Sequence, residues 1–256
     1  MALIQAVVSL IVLSILYVRM IKREQPSPIG TAQAVVPIGM GVVSLILSFI
    51  FFLLNGALLL KIGYSGEKVS PIVGSVIGAF AVAGLPEEIA KLLMMLLTLL
   101  IFRRKIKNVY EYILIGAAVG FGFTLFEEYL YGSDSMLIAL TRLPNVAAHM
   151  VFGIIMAKHL GQASYNRLTG MGAVGKEYAM AILLPILIHT LVDATNAQNK
   201  FLNSTDDSML TVGIVIGLVG LVALFILQIR VLVCLKRDTE KYCAMELLPS
   251  VAPEES

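Results

Sequence analysis

The chain has 256 residues, of which 58% are hydrophobic and only 14% charged, against about 25% charged in soluble domains. With a mean hydropathy of +0.89, this composition excludes an ordinary soluble globule and a basic nucleic-acid-binding surface, and it fits a multispanning membrane protein. The net charge of +2 excludes little, because in such a chain the placement of charge matters more than its sum.

Seven apolar segments follow in chain order, at about 2–18, 34–60, 71–102, 109–131, 144–160, 178–197 and 209–235. Each is near the roughly 20 residues that cross a bilayer as a helix. The pattern predicts an all-α polytopic membrane helix bundle of about seven spans. Ala2 to Tyr17 is apolar but is followed, not preceded, by its basic residues, so it reads as a first membrane helix and not as a cleavable signal peptide. The third segment is too long for one straight span. Pro86 lies in its middle, where proline opens or kinks a helix, so Pro71 to Leu85 is expected as a tilted or re-entrant piece. The chain divides into 1–70, with the N-terminal membrane helices; 71–197, the central core; 198–235, an outer loop and the last helix; and 236–256, a polar tail expected to be disordered.

The basic residues set an orientation. With seven spans and the N-terminus outside, fourteen of the nineteen Lys and Arg fall on inner connections. Only Lys61, Lys68, Arg142 and Lys200 fall outside, and Lys91 lies within a span. This bias predicts an outer N-terminus and a cytoplasmic C-terminus. Cys234 and Cys243 have no metal-ligand spacing and are expected to be bystanders.

Four apolar segments carry acids or histidines: Glu87-Glu88-Ile89-Ala90-Lys91, Phe123-Thr124-Leu125-Phe126-Glu127, His149-Met150-Val151-Phe152-Gly153 and His189-Thr190-Leu191-Val192-Asp193. An ionisable group at the bilayer centre costs at least about 2.5–3.5 kcal/mol, so these groups are expected to meet one another. At a rise of about 1.5 Å per residue, Glu87 and Asp193 lie about 22 Å from the inner ends of their helices, His149 and His189 about 16 Å, and Glu127 about 27 Å. All fall in one slab at mid-depth or in the outer half. Lys91 is spaced to pair with Glu87 or Glu88. Asp193, one turn from His189, is placed to accept an imidazole N–H and fix its tautomer. Gly120, Gly122 and Gly153 permit close helix approach.

Each residue also has a blander reading. Glu87, Glu88 and Lys91 make a structural ion-pair cluster, Glu127 and Glu128 an interfacial pair, and His149 a packing histidine. His159, beside Lys158, reads as interfacial, and Arg142 as either a guard of the site or a solvated loop charge. The conjunction of the four segments favours the functional reading.

Together these motifs resemble those of the PrsW family of intramembrane proteases, which is similar to the wider group of CAAX prenyl endopeptidases and bacteriocin-processing membrane enzymes. The family patterns E-E-x-x-K, F-x-x-x-E-N-x-x-Y, H-x-x-x-G and H-x-x-x-D fall on Glu87-Glu88-x-x-Lys91, Phe123-x-x-x-Glu127-Glu128-x-x-Tyr131, His149-x-x-x-Gly153 and His189-x-x-x-Asp193. The match spans residues 84–193, and Glu128 departs from the family's asparagine. The resemblance implies hydrolysis of a peptide bond in a membrane-anchored, anti-sigma-factor-like protein with a single span, near the outer face of a bacterial plasma membrane.

In that scheme Glu87 or Glu88 is the general base. His149 and His189, with Glu127, hold a zinc or stabilise the oxyanion directly. Lys91 holds the glutamate pair, and Asp193 orients His189. The lipid bilayer is the other expected partner, and no nucleic acid is expected. Two competing readings remain at this point: a proton- or ion-coupled transporter, since buried acids and histidines also mark proton relays, and an inactive protease-like scaffold.

Overall fold

The computed structural model describes residues 2–64, 69–130 and 142–247. Its longer helices are α1 (Ala2–Ile21), α2 (Thr31–Lys61), α3 (Pro71–Ala79), α4 (Leu85–Ile101), α5 (Val109–Leu130), α6 (Ala148–Thr169), α7 (Val174–Thr195) and α8 (Asp207–Arg237), followed by the short α9 (Thr239–Cys243). No strand occurs among the described residues. Among the described residues, five stretches are long and apolar enough to cross a membrane, Leu3–Ile21, Thr31–Lys61, Val109–Leu130, Val174–Asn203 and Asp207–Arg237. The chain is a multi-pass membrane protein built as a helix bundle.

Helix α5 forms the centre. It is apolar around its whole circumference, as a helix surrounded by others must be, and Val109, Ile113, Ala117, Val119 and Phe123 are each 0% exposed. It packs chiefly on α6 and α2, with α1 alongside. Close approach to α6 depends on a glycine: a methyl group at Gly120 would lie 2.1 Å from the His149 carbonyl oxygen. By contrast α8 is peripheral, with Gly213, Gly217, Leu224, Gln228 and Leu235 its buried residues. The rest of its apolar surface, such as Val219 and Val222, is exposed, as suits a helix facing lipid.

The long third segment is one run of helix with an interruption. Between α3 and α4 the residues Phe80–Gly84 form a π-helical turn, and Pro86 sits in the first turn of α4, where its missing N–H costs least. A π turn leaves extra backbone in one loop of helix and is common at functional sites. Here it directly precedes Glu87 and Glu88. It also brings α7 close, since a methyl group at Gly84 would lie 2.2 Å from Thr190 Oγ1, next to His189.

Polar contacts establish which connections share an end of the bundle. At one end Gln33 donates to the Lys105 carbonyl, and Lys107 lies between Glu111, at 3.0 Å, and Glu24, at 3.9 Å. The same end holds Met245 and Leu247, which hydrogen-bond across to Val109 and Lys107. The tail expected to be disordered therefore begins with α9 and a backbone pairing; residues 248–256, with Pro249 and Pro253, lie outside the described residues, as does Lys68. At the other end Gln5 of α1 meets Glu128 of α5. Helix α6 runs about two turns past the expected end at residue 160, because Gly161 and Ala163 still pack inside the bundle.

Candidate active site

Four helices converge on one cavity of about 490 Å³, lined by Glu87 from α4, Glu127 from α5, His149 from α6 and His189 and Asp193 from α7. The slab predicted from residue counting is thus one site. Glu88 and Lys91 lie behind its wall, 1% and 0% exposed.

A continuous chain of polar contacts runs through the site. Lys91 Nζ donates to Glu88 Oε1 at 2.6 Å, one turn back along α4, while Glu87 Oε2 is further away at 3.8 Å. Glu88 Oε1 also lies 2.8 Å from His189 Nδ1. On its other side Lys91 Nζ lies 2.8 Å from His149 Nδ1, and His149 Nε2 lies 2.7 Å from Glu127 Oε2. Lys91 is further held over the ring of Phe123, 4.2 Å from its centroid, where a desolvated ammonium gains cation–π attraction. The Phe123 ring in turn packs on His149, with centroids 4.7 Å apart.

These contacts make the two histidines chemically different. A carboxylate paired with an ammonium only accepts hydrogen bonds, so Glu88 requires a proton on His189 Nδ1, and in the neutral ring this leaves Nε2 with the lone pair. An ammonium only donates, so Lys91 requires His149 Nδ1 to accept and puts the proton on Nε2, where it is donated to Glu127. Asp193, expected to orient His189, does not do so. Its Oδ2 lies 3.7 Å from Nε2, beyond hydrogen-bond reach, and Glu88 occupies Nδ1 instead. Spacing along α7 suggested the pairing, but a partner 101 residues away meets the ring better.

The donor set fits a metal. Glu87, His149 and His189 each offer a ligand atom, all within 4.8 Å of one another. Glu87 Oε2 is buried with no hydrogen-bond partner and lies 3.8 Å from the free Nε2 of His189. An unpartnered buried carboxylate oxygen facing a bare imidazole nitrogen suits a divalent cation. Glu127, the carboxylate expected in this role, is not in that set.

Three residues outside the expected set are also drawn in. Arg142 lines the cavity and donates to Glu127 Oε1 at 3.3 Å and to Glu128 Oε1 at 2.8 Å through Nη2. Its side chain is 31% exposed but paired. Glu128 points into the bundle: it is 4% exposed and accepts from Gln5. Phe152, which packs edge-on to His149 and tilted against His189, gave no signal beyond its place in an apolar helix. His159 lies apart, 2.6 Å from Glu177. Tyr131, the end of the second motif, lies outside the described residues.

Comparison with known proteins bears on this site. No solved structure matches the chain. A stretch of 87 residues is 32% identical to "Protease PrsW" of Halalkalibacterium halodurans, covering 33% of this chain and 39% of that protein. The chain therefore matches only about two fifths of the length of that relative. The family model of the PrsW family intramembrane metalloproteases matches residues 27–227, which include every residue of the cavity named above, and so the chain belongs to the PrsW family of intramembrane metalloproteases.

Proposed function

We propose that this protein is an intramembrane metallopeptidase that hydrolyses a peptide bond of a single-span, membrane-anchored protein near the outer face of a bacterial plasma membrane. The observation that carries this reading is the unpartnered, buried Glu87 Oε2 facing His189 Nε2 inside the cavity. Glu24 and Glu111 at the other end of the bundle also carry unpartnered oxygens, but among the described residues only Glu87 combines one with two histidine nitrogens at metal-ligand spacing.

Glu87, His189 and His149 are the residues that would hold the metal, zinc by the nitrogen and oxygen donor chemistry. Bound there, it would polarise the scissile carbonyl and make water a stronger acid. With His149 as a ligand, its Nε2 proton would pass through Glu127 to solvent while a proton of Lys91 would pass to Nδ1. Glu127, again a carboxylate, then accepts the proton of the attacking water. The new C–O bond forms, the C–N bond breaks, and Glu127 returns the proton to the departing amine. In this reading Glu87 is a ligand and Glu127 the base, the reverse of the two expected roles. Glu88, sealed from the cavity, is a positioning residue that fixes His189 and Lys91.

The charge bias supports an outer N-terminus and a cytoplasmic C-terminus over seven spans. In that orientation the Gln5–Glu128 end of the bundle is the outer one, and Arg142, which lines the cavity, is held at that end by Glu128. A transporter needs an alternating path to both sides, whereas Tyr110, Ile106 and Phe102 at the other end are buried in the apolar core. The reading is tested by reconstituting the chain with a single-span reporter. Glu87→Gln, Glu127→Gln and His189→Ala should each abolish cleavage with helicity intact. Retained cleavage in all three would refute it.

A further inference from the structure

Glu127 uses its two oxygens on different partners. Oε2 faces His149 Nε2 at 2.7 Å, and Oε1 accepts from Arg142 Nη2 at 3.3 Å. The guanidinium is itself fixed: Nε and Nη2 both donate to Glu128 Oε1, at 3.1 and 2.8 Å, and the second oxygen of Glu128 accepts from Gln5 of α1. Glu128 and Gln5 are 4% and 3% exposed. A buried glutamine thus holds a buried glutamate, which holds an arginine, which holds the carboxylate at the cavity.

We propose that Arg142 is a positioning residue of the active site, which, braced by Glu128 and Gln5, keeps the Glu127 carboxylate aligned on His149. The planar fork of arginine suits this task, since it engages two carboxylates at once in a fixed geometry. Two adjacent acids on one helix repel each other, and without the guanidinium Glu127 would turn away from Glu128 and lose its alignment. The arrangement also gives Glu128, the one departure from the second motif, a role: it is the counter-charge that anchors Arg142. Helix α1, otherwise remote from the chemistry, thereby reaches the site through Gln5. The inference rests on the reading of Glu127 as the proton acceptor, but its first test does not.

The chain has three histidines, so an imidazole ¹⁵N spectrum of the full-length, metal-free protein in lipid nanodiscs shows His149, His159 and His189 separately. Arg142→Gln should move the His149 Nε2 resonance toward a weaker hydrogen bond and leave His159 and His189 in place. Arg142→Lys should restore part of the shift. Glu128→Gln and Gln5→Ala, which loosen the guanidinium without removing it, should move His149 in the same direction by less, and they decide the matter if Arg142→Gln folds poorly. An unchanged His149 signal in all of these variants overturns the proposal. In the cleavage assay with a single-span reporter, Arg142→Gln should lower kcat by roughly 10–100-fold with little change in KM. A wild-type chain that cleaves nothing refutes the protease reading and leaves the spectrum to decide the role of Arg142.

Discussion

Glu88 Oε1 lies 2.8 Å from His189 Nδ1 across 101 residues of sequence, and the same oxygen accepts from Lys91 at 2.6 Å. One sealed carboxylate therefore sets the tautomer of the histidine that faces Glu87 and neutralises the lysine that sets the other histidine. Replacing it by an amide should disturb the donor set without touching any ligand. Glu88→Gln is expected to weaken Zn²⁺ binding by roughly 10–100-fold, as loss of a partner behind a metal-bound histidine does. Competition with a chromophoric chelator measures this, and an unchanged affinity would remove Glu88 from its assigned role.

Lys91 is fully buried between Glu88, His149 and Phe123. Lys91→Met leaves the Glu88 charge buried with no cation, which costs about 3–5 kcal/mol. Denaturant unfolding in micelles should show that loss, and the double variant Lys91→Met with Glu88→Gln should recover much of it. Equal destabilisation in the single and double variants would show that the charge pair is not the cause.

Because His149 carries its proton on the nitrogen that would bind the metal, zinc uptake should release a proton. Apparent affinity is then expected to rise by about tenfold per pH unit below neutrality, one proton being exchanged per ion. Calorimetry in buffers of different ionisation enthalpy counts the proton directly. A count of zero would mean that His149 is not a ligand.

A separate pH effect resides at the other end of the bundle. Burial, reinforced by the neighbouring Glu111 carboxylate and opposed by Lys107, pushes Glu24 up to about 7. Its value in the unfolded chain is about 4.3. The native state thus holds an extra proton between these values, so stability contributed by Glu24 is present below about pH 4.3 and is lost as pH rises toward about 7. The melting temperature of the wild type in micelles should fall relative to that of Glu24→Gln as pH rises from about 5 to about 8. Parallel curves would count against it.

Much of this was legible in the sequence, and the reasons are physical. Hydropathy and length locate the helices because a bilayer admits few alternatives. Residue counting finds the common depth of Glu87, Glu127, His149 and His189 because helix rise is constant. Spacing along one helix can propose only local partners, and so it paired His189 with Asp193, where α7 turns the imidazole to Glu88 on α4. The proposed exchange of roles between Glu87 and Glu127 was hidden for the same reason, since it depends on which carboxylate oxygen is left without a partner. The π turn before Glu87 shows in the sequence only as Pro86, and Arg142 could not be told from an ordinary loop charge until Glu127 and Glu128 were seen beside it.

The most direct test compares the membrane fractions of bacterial cells expressing the wild-type chain or Glu87→Gln by quantitative mapping of new protein N-termini. Proteolysis at this site predicts N-termini just outside the membrane spans of single-span proteins in wild-type cells, absent with Glu87→Gln and with His189→Ala. Identical sets of N-termini in the wild type and both variants would contradict it.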